Sequence, residues 1–215
     1  MPVINLRNGA SVEDDPQARI IAAAVRCIAR FGVSKTSLDD VAREAGLSRA
    51  TVYRVVPGGK ESLLALVAAT ELNRFFLTLE RALSRVDDLE DMLVAGVFTA
   101  ATYFEQHGAL RFLLEHEPEQ ILPRFAFQNL DLMLVNVRSF AGPYLEPWLG
   151  DDAARTAEWL ARIVLSYACT PSPEFALSDE ESARRLVRTY VLPGLTLPDR
   201  SSTAQSTTSS TVVNK

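Results

Sequence analysis

Apolar side chains recur along this chain at intervals of three and four, and no run alternates at period two, which predicts an all-α fold of about nine helices. Asp15 and Pro16 supply a cap and a first position for the opening helix. Ile20, Ala24, Cys27, Ile28 and Phe31 then share one face, and Gly32 provides the stop. Ser37 and Asp40 stand at capping-box spacing for a second helix that ends at Ala45–Gly46. Ser48 caps a third, which Pro57-Gly58-Gly59 breaks after about Val55.

Beyond that break the helices lengthen. Lys60–Arg85 carries Leu64, Ala68, Leu72, Phe76, Leu79 and Leu83 on one stripe. Asp87 or Asp88 caps the next, which reaches His107-Gly108, and a short piece follows to His116. From Pro118 to Phe140 the segment is apolar almost all round, as a helix buried on most sides would be. Gly142-Pro143 and Pro147 are expected to interrupt it. Asp151 or Asp152 caps a helix to about Thr170, and a last one covers Ser178–Leu192. Nine of the eleven residues Ser201–Thr211 are Ser or Thr, which predicts a disordered tail. The resulting divisions are a flexible arm over 1–15, a helix-turn-helix unit over 16–59, a helical body over 60–197 and a tail over 198–215.

Charge sharpens the picture. The whole chain carries −5, yet residues 16–60 hold eight cations (Arg19, Arg26, Arg30, Lys35, Arg43, Arg49, Arg54, Lys60) against Asp39, Asp40 and Glu44, a net +5. From Glu61 onward the balance is −8. A small basic head on an acidic body suits a phosphate-bearing partner at one end and discourages it elsewhere. No apolar run approaches the ~18 uninterrupted residues of a bilayer span, and Met1–Asp15 is too polar for a secretory signal. A cytoplasmic location without a membrane partner is expected. Cys27 and Cys169 have no neighbouring cysteine and read as small buried hydrophobes.

The span from Ser37 to Arg54 has the grammar of a helix-turn-helix: two short helices, and a turn with Gly46 where φ can be positive. Leu38, Val41, Ala42, Leu47 and Val52 would plug the junction. The second helix then offers its N-terminal end to a DNA major groove. Arg49 can contact guanine with two prongs, and Ala50 with the Thr51 methyl suits a thymine methyl. Tyr53, Arg54 and Lys60 are placed to grip phosphates, with Thr36, Ser37 and Ser48 at the helix starts beside them.

Those residues carry a resemblance. The first helix ends in Phe31-Gly32 and is followed by Thr36-Ser37-Leu38-Asp39-Asp40-Val41-Ala42, Ala45-Gly46-Leu47-Ser48, Thr51-Val52-Tyr53-Arg54 and Lys60-Glu61-Ser62-Leu63-Leu64. In this order and spacing, residues 16–66 resemble the DNA-binding head of the TetR family. Two departures stand out: Val55-Val56 where the family often has His-Phe, and a turn at Pro57–Lys60 one residue longer than the commonest form. The resemblance implies a homodimer on a palindromic operator, acting as a repressor that a small-molecule effector releases. In that frame Trp159, Leu160, Ile163, Tyr167, Leu186, Val187 and Tyr190 are the expected dimer surface.

Eight of the ten phenylalanines fall between Leu72 and Phe140, the composition of either a packed core or a pocket for an apolar or amphipathic ligand. Phe76, Phe98, Phe112, Phe125 and Met133 are candidate lining, with Tyr103, His107, Asn129, Asn136 and Arg138 as polar handles. No nucleophile elbow or dinucleotide loop is present, and Gly58-Gly59-Lys60 lacks the rest of a phosphate loop, so neither an enzyme nor a cofactor is expected. His107 and His116 follow no metal-ligand spacing, so no metal is expected either. The competing reading is an all-helical carrier or scaffold for a lipid-like ligand that has lost DNA binding.

Overall fold

The computed structural model describes residues 15–119 and 130–195. The expected arm, the Ser/Thr-rich tail, Phe125 and Asn129 lie outside the described residues. Within them the chain is helical and holds no strand, as the periodicity predicts.

The head consists of α1 (Pro16–Lys35), α2 (Leu38–Ala45) and α3 (Arg49–Val55). Asp15 accepts the Gln17 N–H at 3.0 Å and Pro16 opens α1. The predicted stop at Gly32 is realised as a kink (φ 78°, ψ 173°), after which the last turn resumes. Ile20, Ile21, Ala23, Ala24 and Cys27 pack on Val41, Ala42, Ala45, Val52 and Val56 to form the head's own core. Phe31, expected on that buried face, is 48% exposed, because the kink that begins beside it turns it away from α2 and α3.

The body begins with α4 (Gly59–Leu83), then α5 (Leu89–Gln106), α6 (Gly108–His116), α7 (Leu130–Leu149), α8 (Ala153–Cys169) and α9 (Glu180–Leu186), which a π turn over Val187–Val191 extends. Asp88 caps α5 and Asp179 caps α9, each accepting a backbone N–H three residues on. The expected interruption at Gly142-Pro143 and Pro147 does not occur, and α7 runs through both prolines. α7 packs along α8 at Gly142, where a Cβ would make ordinary contact with Ala154. Close packing on α8 thus holds a helix that proline disfavours. α4 is long and apolar enough to cross a membrane by length and composition. In this fold one side of it faces a cavity and contacts the head and α5, while much of the remaining surface, including Leu77, is exposed.

Leu93, Val94, Val97, Leu145, Val164, Leu186, Val187 and Val191 form the body's core. Arg184 bonds Glu90 at 3.0 Å and also Asp91, and Arg188 bonds Glu90 at 2.8 Å, which clamps α9 to α5. Cys27 is buried, and burial raises its thiol above the ordinary value. Cys169 is exposed at the end of α8, unlike the buried hydrophobe expected of it.

Candidate nucleic-acid interface and internal cavity

The turn between α2 and α3 needs Gly46, whose φ is 63°. The capping box closes as its spacing predicts: Asp40 N–H donates to the Ser37 hydroxyl, and Ser37 N–H to the Asp40 carboxylate, both at 3.2 Å. The Ser37 hydroxyl also donates to the Asp40 carboxylate, and this bond first, with the Ser37 N–H second, holds the Asp40 carboxyl below its ordinary value. Arg19 reaches across from α1 to the Ala45 carbonyl at 2.6 Å and locks the turn. Ser48 caps α3 by accepting the Thr51 N–H at 3.1 Å.

α3 therefore presents its N-terminal end outward. Ser48, Arg49, Ala50, Tyr53 and Arg54 are exposed, and Thr51 is half-buried with its hydroxyl 2.9 Å from that of Ser48. Arg49 bonds Asp39 at 2.8 Å, so the proposed base-reading arginine rests on the start of α2. Lys60 donates to the Ser34 carbonyl at 3.2 Å, near the end of α1. Thr36 differs from expectation. It is buried, and its hydroxyl donates to the Gly32 carbonyl at 2.6 Å, closing the kinked end of α1 instead of facing a phosphate.

One feature of the head was not legible in the sequence. Glu117, just past α6, is buried and accepts the Val33 N–H at 2.7 Å and the Ser34 N–H at 3.3 Å. Its carboxylate fills the space over Gly32 that a Cβ would need. Around it Ile28 packs on Ala109 and Leu113, joining head to body.

Behind that junction lies a partly open cavity of about 660 Å³, walled mainly by apolar side chains of α4 to α8 with Val25, Ile28 and Val33 of α1. The whole predicted α4 stripe, from Leu64 to Leu83, faces it. Of the expected lining, Phe76, Tyr103, His107, Met133 and Asn136 are on the wall. Phe98 packs into the body's core and Phe112 stacks on His116 at 4.5 Å, so neither lines it. Arg138 pairs with Glu158 at 3.1 Å and is no handle.

The polar part of the wall centres on Glu71. Its Oε2 accepts from His107 Nε2 at 3.0 Å and from the Tyr103 hydroxyl at 3.3 Å, and its Oε1 accepts from Arg74 at 2.6 Å. His107 Nδ1 accepts the Leu110 N–H at 3.2 Å, which caps α6 and leaves the ring proton on Nε2. The His107 hydrogen bond, opposed by burial and aided by Arg74, holds the Glu71 carboxyl below its usual value. Burial first, and the Glu71 charge second, push the Tyr103 phenol up to about 12.

The expected dimer surface divides. Trp159 and Tyr190 are 43% and 58% exposed. Leu186 and Val187 are buried in the body's core, because α9 turns its apolar face to α5. Leu160 lines the cavity, and Tyr167 packs edge-on against Phe175.

Residues 20–67 match the family of bacterial regulatory proteins called the tetR family. Over 55 residues the chain is 36% identical to the uncharacterized HTH-type transcriptional regulator Rv2250c of Mycobacterium tuberculosis, covering 26% of this chain and 29% of that protein. The chain thus matches less than a third of that relative's length. Its fold is similar to that of the TetR family repressor AlkX from Dietzia sp. strain DQ12-45-1b, implicated in biodegradation of n-alkanes (TM-score 0.60, 19% identity, 84% of this chain and 97% of that one). It is also similar to the fatty acid degradation regulator FadR from Bacillus halodurans (TM-score 0.58, 19% identity, 83% of this chain and 98% of that one).

Proposed function

We propose that this chain is a DNA-binding transcription regulator of the tetR family and not an enzyme, a reading supported by the match of residues 20–67 to that family. The observation that carries this reading is the outward N-terminal end of α3, with Arg49, Ala50 and Tyr53 exposed on a head of net positive charge. Free N–H groups and the helix dipole there attract phosphate, while Arg49 supplies base recognition. Tyr53, Arg54 and Lys60 grip the backbone on either side.

The regulator acts as a homodimer on a palindromic operator, pairing through the α8 face that exposes Trp159 and the neighbouring Tyr190. The cavity receives an apolar or amphipathic effector, and occupancy releases the repressor from DNA. The apolar wall supports that effector class, as do AlkX and FadR, the one implicated in n-alkane biodegradation and the other a regulator of fatty acid degradation. Its place of action is the cytoplasm.

Footprinting the purified protein on DNA upstream of its own gene and of the neighbouring genes tests this. A protected site with two-fold symmetry is expected. A carrier that had lost DNA binding would protect nothing.

A further inference from the structure

Glu71 is the only formal charge on the cavity wall among the described residues, and no lysine or arginine lines the space with it. Arg74 answers the carboxylate on Oε1 from an adjoining shallow hollow, which Glu71, Tyr103 and His107 also line together with Arg81 and Gln106. Inside, Oε2 has one firm donor, His107 at 3.0 Å, and one long one, Tyr103 at 3.3 Å. The Tyr103 hydroxyl is nearer the Glu71 main-chain carbonyl, at 3.1 Å. Oε2 therefore has room for a better donor from the cavity. An anionic head placed on Oε2 would meet a carboxylate at short range while Arg74 is engaged on the other oxygen, and like charges so close oppose one another.

Resting on the effector-cavity reading above, we propose that this cavity takes a long apolar molecule whose head is a hydrogen-bond donor, a hydroxyl or a protonated amine, bound by Glu71, and that it rejects the corresponding carboxylate. The apolar tail lies against Phe76, Val97, Phe140 and Val164. A donor head on Oε2 takes the place of the weak Tyr103 contact and competes with the His107 proton. His107 is also the cap of α6, so the head group acts at the end of the helix whose other end carries Glu117 to the head.

Calorimetric titration of the full-length protein with dodecanol, dodecylamine and dodecanoate at pH 8 holds the tail constant and varies the head. The alcohol and the amine are expected to bind, and the carboxylate to bind about tenfold or more weakly, the size of effect that a like charge at this range produces. In Glu71→Gln, which keeps the shape and loses the charge, most of the penalty on dodecanoate should vanish. Equal binding of all three, or tightest binding of dodecanoate to the wild-type protein, would overturn the head-group assignment and leave the cavity reading standing. Failure of all three to bind would instead remove the effector-cavity reading, and this inference with it. The wild-type series decides the matter without the variant.

Discussion

Arg49 rests on Asp39 in the free protein, with side chains 72% and 38% exposed. So exposed a pair contributes about 0–1 kcal/mol, and the proposed base reading would have little to overcome in breaking it. Arg49→Ala should cost about 1–3 kcal/mol of discrimination at one base pair while non-specific affinity falls less. Competition between operator and unrelated DNA measures both, and an equal loss on every sequence would refute base reading. Glu71 gives a second expectation at this scale. Its folded value lies below the unfolded one, so ionised Glu71 contributes stability above about pH 4.3, which is lost as pH falls through the lowered value. Glu71→Gln has no such proton to bind. Melting temperatures followed into acid should fall more steeply for the wild-type protein than for the variant, and parallel curves would contradict the linkage.

At the scale of elements, α6 spans two jobs. His107 caps its start at the cavity wall, and Glu117 beyond its end holds the kinked end of α1. Hydrogen bonds to a charged acceptor contribute about 1.5–3 kcal/mol, so Glu117→Gln should loosen the junction. Hydrogen exchange is then expected to accelerate at the Val33 and Ser34 amides and stay unchanged in α8; unaltered exchange at Val33 would reject the latch.

The caps at Ser37, Ser48 and Asp88 were legible in the sequence because each involves residues three apart, whereas the cap expected of Asp151 or Asp152 does not form and the Asp152 carboxylate pairs with Arg155. Glu117 lies 84 residues from Val33, and nothing local announces that pairing. The α4 stripe was legible as a period, but a period cannot tell a packed face from a cavity wall. Leu186 and Val187 were misread for the same reason: their spacing marks a buried face without saying whether it meets α5 or a second subunit. Pro143 and Pro147 misled because packing of α7 on α8 outweighs their local preference.

On the scale of the molecule, residues 16–60 carry net +5 and those from Glu61 onward net −8, a partition that would draw the proposed DNA partner to one end. In the proposed homodimer, two heads would reach successive major grooves through pairing of surfaces that include the exposed Trp159 and Tyr190. Trp159→Asp should convert the protein to a monomer by light scattering and weaken operator binding sharply; a variant that stays dimeric would move the interface elsewhere.

The central claim is that this basic head binds DNA through its phosphates, and the salt dependence of affinity tests it most directly. Fluorescence anisotropy with a labelled operator duplex should show affinity falling about a thousandfold or more between ~50 and ~200 mM salt, as a head that neutralises several phosphates requires. No binding at the lowest salt, or an affinity indifferent to salt, would contradict it.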